Sequence, residues 1–473
     1  MTPLSLAISF VVLLSIILEV VGIPRGYTSS VGQFIPLTRR TQPSRNISEW
    51  AEYAKNLRDA TIAKYSPQHS QKRGAGENLL VNQGFDTSFY GSLAVGTPPY
   101  AFDVILDTGS SDMWIASSAC QSACAGTGNF DSAKSSTFQD MNRSFSITYD
   151  KGYAAGTIGQ DVVQMAGFTI SHQTFGVVTT TAANFLQNPV TGIFGLAWQS
   201  LAVSGAMPFW QALASNGQWS QPLMAFHLTR FLNDSRAGQL EPGGSFTMGY
   251  ANESLYTGTI DYQDIPNGQA SYWLQQITSM TVQGKSISLP SGSASYAAID
   301  TGTTLVAGPA ASIAAIYAQI PGSQPVTGSW EGFYSYPCDT AVVVEISFGG
   351  PHWTISPGDF AFASTASTPN ECYGAFYAIP TSDGTPSWIL GDTFLKNVYS
   401  VFRYDTPSVG FAALSEVALA MNDMAGRIPS ATLGANSAMF TLEPSAALAR
   451  RTSSAVAFVI SAFIATLVSF VQA

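Results

Sequence analysis

The sequence has 473 residues, of which 46% are hydrophobic and 11% charged, and its formal net charge is -10. A chain this long and this apolar is expected to fold around more than one core, in two or more lobes, which excludes an intrinsically disordered protein. It has only 20 Lys and Arg against 30 Asp and Glu. Because nucleic-acid binding needs clustered cations, no nucleic-acid partner is expected.

The first predicted element is a signal peptide over residues 1–22. Residues 4–21 form an almost unbroken apolar run, and Gly22 follows. Such a run is typical of secretory signal peptides, although no Lys or Arg precedes it. An uncleaved membrane anchor is the alternative interpretation. Export is also indicated by three predicted N-glycosylation sites in the body, at Asn142, Asn233 and Asn252.

A basic pro-segment is predicted over residues 23–73. Residues 1–73 hold 9 of the 20 basic side chains and 4 of the 30 acidic ones, so the rest of the chain carries 11 basic and 26 acidic side chains. A cationic leader would bind an anionic body near neutral pH and release it as carboxylates are protonated. The pair Lys72-Arg73 before a Gly-rich junction indicates a processing site. A merely flexible basic leader is the alternative.

Residues 74–415 are predicted to form an all-β body with short helices. An N-terminal lobe is expected over residues 74–258 and a C-terminal lobe over residues 259–415. β-Branched and aromatic runs alternate in this region with Gly, Asn, Asp and Ser, which is typical of many short strands joined by turns. Brief helices are expected near residues 209–215 and 310–319.

Four cysteines lie in this body, namely Cys120, Cys124, Cys338 and Cys372. In an exported chain a small, even number of cysteines predicts two disulfides. Pairing of near neighbours is the simplest of the three connectivities that the sequence allows. A zinc site is the rival interpretation, but no His lies near either pair and the spacing is unsuitable.

The body contains one internal repeat of a short motif. Asp107-Thr-Gly-Ser recurs as Asp300-Thr-Gly-Thr, 193 residues later, and each copy follows an apolar run. The recurrence predicts two homologous lobes, each presenting one Asp from the end of a strand. For a single copy, an Asp that caps a local turn would be the alternative.

Two facing carboxylates predict acid–base chemistry. Like charge at close range raises the pKa of one member strongly, so the pair shares a proton at acid pH. One carboxylate then deprotonates a water molecule while the other binds the scissile carbonyl, which hydrolyses a peptide bond without cofactor or metal. The residues next to each Asp have three expected roles. Gly109 and Gly302 are expected to turn the backbone and hydrogen-bond the inner carboxylate oxygens, and Ser110 and Thr303 to hydrogen-bond the outer oxygens. Thr108 and Thr301 are expected to cross-link the lobes.

These motifs resemble those of the pepsin-like aspartic peptidases over roughly residues 82–414, and more loosely those of fungal GPI-anchored, yapsin-like surface proteases. Asp107-Thr-Gly-Ser-Ser-Asp-Met-Trp114, Gly192-Ile-Phe-Gly-Leu196 and Trp388-Ile-Leu-Gly-Asp-Thr-Phe394 carry the resemblance. The resemblance implies a bilobal β fold with the dyad in a cleft between the lobes. It also implies the two local disulfides, and a pro-segment whose Lys64 neutralises the dyad before activation.

The same resemblance assigns a substrate-covering flap to the segment Phe145-Ser-Ile-Thr-Tyr149. Tyr149 would hydrogen-bond Trp114 and help exclude water from the dyad. Core aromatic residues are the alternative interpretation of both. Asp150 stands where the family usually has Gly, and Thr191 where it commonly has Asp, which puts side-chain preference near the scissile bond in doubt.

The C-terminal region is predicted to be a stalk over residues 416–454 and a hydrophobic tail over residues 455–473. The tail is free of charge and follows Arg450-Arg451. A GPI-attachment signal fits this pattern better than a transmembrane helix, since a spanning helix would have its basic residues on the extracellular side. The expected location is therefore the secretory pathway and the cell surface or extracellular space.

The sequence thus predicts an aspartic endopeptidase that is made as a secreted zymogen and acts on polypeptides at acid pH. Since both motif copies lie in one chain, a monomer is expected to be sufficient. The alternative is a catalytically inactive surface glycoprotein or inhibitor on the same bilobal scaffold. Such relatives typically lose an Asp or its Gly and hydroxyl neighbours, and both sets are present here.

Overall fold

The structure is a computed structural model. It describes residues 73–120, 124, 128–149, 152–232, 234–268, 270–364, 370–381, 385–424 and 426–429, and the backbone of residues 438–440. The predictions for the signal peptide, most of the pro-segment including Lys64, Asn233 and the hydrophobic tail lie outside these residues. The described residues all belong to one compact unit, Ser70–Ala473.

Strands dominate the described residues, as the alternation of β-branched and turn-forming residues predicts. The first eleven are β1 (Gly76–Gln83), β2 (Ser88–Val95), β3 (Tyr100–Asp107), β4 (Met113–Ala116), β5 (Gln139–Tyr149), β6 (Gly152–Met165), β7 (Phe168–Thr181), β8 (Gly192–Gly195), β9 (Leu223–Leu228), β10 (Leu240–Met248) and β11 (Tyr256–Asp264). The next eight are β12 (Leu274–Gln276), β13 (Ser279–Val282), β14 (Lys285–Ser286), β15 (Tyr296–Ile299), β16 (Val306–Pro309), β17 (Gln324–Pro325), β18 (Tyr334–Pro337) and β19 (Val344–Ser347). The last eight are β20 (His352–Ile355), β21 (Ala361–Ser364), β22 (Glu371–Gly374), β23 (Phe376–Ile379), β24 (Trp388–Leu390), β25 (Tyr399–Arg403), β26 (Ser408–Leu414) and β27 (Ala438–Phe440).

Helices are short and few in the described part of the chain, so the all-β class with short helices is confirmed. The α-helices are α1 (Phe209–Ser215), α2 (Ala310–Tyr317), α3 (Pro357–Phe360), α4 (Asp392–Leu395) and α5 (Glu416–Leu419). The 3-10 turns are Ser132–Lys134, Gln199–Leu201, Pro266–Gly268, Gly292–Ser295 and Gly328–Trp330. The first two α-helices lie where the sequence predicts them. Within the described ranges, none of these helices has the length and apolar character needed to cross a membrane.

Most of the early strands join one large sheet. Among the described strands it has fourteen members, in the order β11-β26-β25-β9-β10-β1-β2-β3-β8-β4-β7-β6-β5, with β27 beside β7. The sheet therefore joins β25 and β26, from the end of the body, to β9 and β11 from its middle. The predicted lobe boundary at residues 258 and 259 falls inside β11, which pairs with β26.

Three smaller sheets form the rest of the body as described. Their orders are β12-β15-β24-β16-β23, β14-β13-β19-β20 and β17-β18-β22-β21. The first of them contains β15, the strand that leads directly to Asp300. Apolar side chains from the smaller sheets and from the large sheet share one continuous hydrophobic core, which fixes the strand ends that carry the repeated motif.

Candidate active site

The two Asp-Thr-Gly copies lie at equivalent strand ends. Asp107 is the last residue of β3, which pairs in parallel with β8, and Asp300 directly follows β15, which pairs in parallel with β24. The backbone fixes both residues. Leu196 N–H donates to the Asp107 carbonyl at 2.7 Å, and Asp300 N–H donates to the Leu390 carbonyl at 3.0 Å. Matched apolar-apolar-Gly segments thus position both acids.

The two carboxyl groups lie close together: each packs against the glycine that binds the other, and the charge of Asp300 raises the pKa of Asp107. Asp107 and Asp300 are 6% and 9% exposed, so the pair is largely shielded from solvent. A Cβ atom on Gly109 would lie 2.6 Å from the Cγ atom of Asp300, and a Cβ atom on Gly302 would lie 2.6 Å from the Cγ atom of Asp107. The two glycines are therefore required for close approach of the opposite acid rather than for a left-handed turn, since neither has a positive φ.

Each carboxylate accepts two hydrogen bonds from its own motif. The Gly109 N–H group donates to Oδ1 of Asp107 at 2.8 Å, and the Gly302 N–H group donates to Oδ1 of Asp300 at 2.8 Å. The Ser110 hydroxyl donates to Oδ2 of Asp107, and the Thr303 hydroxyl donates to Oδ2 of Asp300 at 2.7 Å. These bonds orient both carboxyl groups and leave their faces towards each other.

The threonines of the motif join the two halves of the body. Thr108 N–H donates to the Thr301 hydroxyl oxygen at 3.1 Å, and Thr301 N–H donates to the Thr108 hydroxyl oxygen at 2.9 Å. The Thr108 hydroxyl donates to the Ile299 carbonyl at 2.8 Å, and the Thr301 hydroxyl donates to the Leu106 carbonyl at 2.5 Å. This reciprocal, buried arrangement holds the distance between the two acids.

Burial and the Asp300 charge raise the pKa of Asp107 to about 8. The hydrogen bonds from Ser110 and Gly109 act in the opposite direction, because they stabilise the ionised carboxylate. Burial and the Asp300 charge have the larger effect on this pKa. The pair consequently retains one proton across the acid range, which is the protonation state that paired acid–base chemistry requires.

An aromatic pair stands next to the dyad. The Trp114 Nε1–H group donates to the Tyr149 hydroxyl oxygen at 2.8 Å, as the sequence analysis expects for a flap tyrosine. Burial and then the Asp107 charge raise the pKa of Tyr149 above its usual range. Tyr149 is the last described residue of β5, and β6 resumes at Gly152, so the tip residues Asp150 and Lys151 lie outside the described chain.

Comparison with known proteins identifies the family. The model of the family described as "Eukaryotic aspartyl protease" matches residues 88–414, which is more than half of the chain. The chain belongs to this family. This aspartyl protease is an aspartic endopeptidase, and hence a hydrolase, which confirms the predicted enzyme class.

Several relatives match along most of their length. The protein is 45% identical over 353 residues to "Major aspartyl peptidase 1" of Cryptococcus neoformans var. grubii, covering 73% of this chain and 72% of that protein. It is 32% identical over 382 residues to "Aspartic protease" of Phaffia rhodozyma, covering 80% of this chain and 88% of the relative. It is also 32% identical over 388 residues to "Pepsin A" of Sus scrofa, covering 80% and 95%.

The remaining predicted site residues of this aspartyl protease are the four cysteines, the three asparagines of the predicted glycosylation sites and Lys64. The four cysteines form the disulfides Cys120–Cys124 and Cys338–Cys372, the local pairing that the sequence analysis favours. Asn142 is exposed and Asn252 is half-buried. Burial therefore does not prevent attachment of a glycan to Asn142. Asn233 and Lys64 lie outside the described residues.

Sequence analysis missed a buried ionic cluster, defined by Asp86, Arg230, Asp359 and Lys396. Lys396 Nζ lies 2.6 Å from Asp86 Oδ2 and 2.9 Å from Asp359 Oδ1, and Arg230 Nε donates to Asp359 at 3.0 Å. Burial opposes ionisation of Asp359, but the charges of Lys396 and Arg230 outweigh it and lower its pKa to about 2. The feature of the sequence that could have indicated this cluster is its composition, because cations are scarce in the body.

Proposed function

We propose that Asp107 and Asp300 are the catalytic residues with which the protein hydrolyses internal peptide bonds of polypeptides. The close approach of two buried carboxyl groups, one from each matched strand end, carries this proposal. The four hydrogen bonds that orient the pair and the threonine cross-link support it further, because paired proton transfer requires a fixed geometry.

The reaction follows from the shared proton. The ionised carboxylate accepts a proton from a water molecule as the water oxygen attacks the scissile carbonyl carbon, and the protonated carboxyl gives its proton to the carbonyl oxygen. A gem-diol results. One of its hydroxyl protons then returns to the second acid, the first acid protonates the amide nitrogen, and the C–N bond breaks. The products are a carboxylic acid and an amine, and the dyad regains one proton.

Activity is expected to follow a bell-shaped pH dependence with its maximum on the acid side. As the pH falls, both acids become protonated and no base remains. As the pH rises towards the raised pKa of Asp107, about 8, both become ionised and no acid remains. The measurement is kcat/KM for cleavage of one defined peptide by the purified, tail-free protein between pH 2 and pH 9. A maximum well above neutrality would contradict the shared-proton mechanism.

The leader and its role as an inhibitor are also proposed. We infer that residues 23–73 keep the precursor latent, with Lys64 neutralising the dyad, and that processing occurs after Arg73. The excess of basic residues in this segment and of acidic ones in the body supports the proposal, since attraction between them falls as carboxylates are protonated.

The Lys64→Ala precursor is therefore expected to cleave a peptide substrate without prior processing at neutral pH, whereas the wild-type precursor stays inactive. Lys55→Ala, which removes another leader cation, serves as the control and is expected to preserve latency. Full latency of Lys64→Ala would contradict a specific role for this lysine, and equal activation by both variants would indicate a role of overall charge.

The proposals for secretion and membrane attachment are based on the two ends of the sequence. We propose a secreted glycoprotein that is tethered at the cell surface by GPI attachment in the segment before residues 455–473, with the membrane as a partner through this tail alone. Its charge-free composition and the basic pair before it support this assignment. Release of the protein from cells by a phosphatidylinositol-specific phospholipase C is expected, and retention after that treatment would favour a transmembrane tail.

A further inference from the structure

The chain folds back on the large sheet after its last strand in the body. We call residues 416–424 the strap; it begins with α5 and precedes the predicted C-terminal tail in the sequence. At its start, the Ser415 hydroxyl donates to the Ser254 carbonyl at 2.6 Å. At its end, Asp423 N–H donates to the Arg230 carbonyl at 2.9 Å. The strap is thus held to the body at both ends.

Between those ends the strap meets the sheet through one small side chain. Ala418 is fully buried, whereas its neighbours Val417 and Leu419 are 53% and 51% exposed. The other residues of the strap, all of which the structure describes, are exposed or half-buried. The contact beneath Ala418 therefore decides whether the middle of the strap stays on the sheet.

His227 lies beneath Ala418. It is on β9 and faces the same side of the sheet as Ala225, which belongs to one hydrophobic cluster with Ala418. His227 is 1% exposed, and neither of its ring nitrogens has a hydrogen-bond partner among the described residues. A neutral imidazole is tolerated in such a place. A protonated one would be a buried charge with unsatisfied donors.

No counter-ion for a protonated His227 is found among the charged groups around it. The elements packed near it carry Glu77 on β1, Arg230 after β9, Glu241 on β10, Tyr399 and Arg403 on β25, and Glu416 and Asp423 on the strap. None of these side chains contributes to the pKa of His227. Burial lowers that pKa to about 4, and the Ala418 backbone has a smaller, opposite effect.

We propose that the strap is a pH-sensitive connector, which is docked on the large sheet while His227 is neutral and is released when acid protonates this histidine. Release turns a bound stretch of chain between the body and the C-terminal tail into a free one. The inference goes beyond the proposed function and does not depend on catalysis by the dyad. Its connection to the membrane rests on the proposed attachment through the tail.

The direction of the pH dependence follows from linkage. The pKa of His227 is about 4 in the docked state and 6.5 for a histidine in water, so the released strap binds more protons between those values. Docking is therefore fully stable above pH 6.5 and weakens as the pH falls towards 4. The ratio of released to docked strap is expected to rise about 10²-fold from pH 7 to pH 4.

The test is hydrogen exchange of residues 416–424 at pH 7, pH 5.5 and pH 4, expressed as a protection factor relative to an unstructured peptide at each pH. The Asp300→Asn protein is the background for every sample, so that self-digestion does not cut the chain in acid. The protection factor of the strap is expected to fall about 10²-fold from pH 7 to pH 4, or to the level of a free peptide. Protection of β9 and β10 is expected to persist.

His227→Leu replaces the histidine with a side chain of similar volume that does not titrate, and it is expected to keep the strap protected at pH 4. His352→Leu is the matched control, because His352 lies exposed on β20, and its loss should leave the fall in protection unchanged. Equal protection of the strap at pH 7 and pH 4 would overturn the inference. An equal fall with and without His227, or a simultaneous loss of protection in β9 and β10, would also overturn it.

A second measurement decides the matter if His227→Leu does not fold. The ring of His227, followed by NMR in protein with isotope-labelled histidine, is expected to titrate near pH 4. Ala418→Gly, which loosens the helix above it, is expected to raise this pKa because linkage is reciprocal. A pKa that Ala418→Gly leaves unchanged would contradict coupling between His227 and the strap. Phospholipase release tests the tail, and activity of Asp300→Asn tests the dyad, so their failures are distinguishable from failure of the strap.

Discussion

Replacing Asp300 by asparagine is expected to lower kcat by about 10²- to 10⁴-fold, the contribution typical of a positioned acid–base group. The amide has nearly the same shape and still accepts hydrogen bonds from Gly302 and Thr303, so the strand ends should stay in place. It cannot exchange the shared proton. The measurement is kcat for one peptide at the wild-type optimum, with the circular dichroism spectrum recorded in parallel.

Asp103→Asn is the matched control for this variant. Asp103 lies on β3, four residues before Asp107, and its carboxylate accepts a hydrogen bond from Ser92 at 2.6 Å. Its substitution removes a carboxylate from the same strand without touching the dyad and should leave kcat near the wild-type value. Wild-type activity in Asp300→Asn, or an equal loss in both variants, would reject the proposed mechanism.

The dyad should also cost the protein stability at neutral pH. The folded-state pKa of Asp107, raised to about 8, lies above the value of 3.8 for an unperturbed Asp. Between those values the folded state binds more protons than the unfolded state, so this group makes stability fall as the pH rises. Asp300→Asn, which removes the like charge, should therefore unfold at a higher temperature than wild type at pH 7 but not at pH 3. Equal unfolding temperatures of the two proteins at pH 7 would contradict the raised pKa of Asp107.

The dyad was predictable because its information is local and repeated. Asp107 and Asp300 each have a glycine and a hydroxyl residue within three positions, and those neighbours make the orienting hydrogen bonds. The backbone turns at both glycines, as the sequence suggested, and the structure adds a second reason for glycine, the space needed by the opposite acid. Those contacts join Gly109 to Asp300 and Gly302 to Asp107, which are 191 and 195 positions apart, so they leave no local pattern in the sequence.

The contacts that sequence analysis missed are non-local. Lys396 and Asp86 are 310 positions apart, and neither lies in a periodic or repeated segment. The strand-rich class and both longer helices were predictable from alternation and composition. The order of strands in the large sheet was not, because it joins distant segments.

The ionic cluster leads to the largest expected effect on stability. Lys396 is 3% exposed in its side chain and neutralises two buried carboxylates, one on the turn after β1 and one on α3. Lys396→Met keeps the apolar stem but leaves Asp86 and Asp359 with Arg230 as the cation that remains in the cluster. Removing one partner from a buried ion pair typically costs about 3–5 kcal/mol, because the other charge stays desolvated.

The measurement is the free energy of unfolding in urea at pH 5, compared with Lys134→Met. Lys134 forms a surface pair with Asp131 and is 64% exposed, so its loss should cost about 1 kcal/mol or less. Because the pKa of Asp359 is lowered to about 2, its contribution is present above the unfolded value of 3.8 and is lost only as the pH falls through about 2. The Asp359 carboxylate therefore stays ionised down to about pH 2. Equal costs for the two lysine variants at pH 5, or a cost of Lys396→Met that already disappears at pH 4, would contradict this account of acid stability.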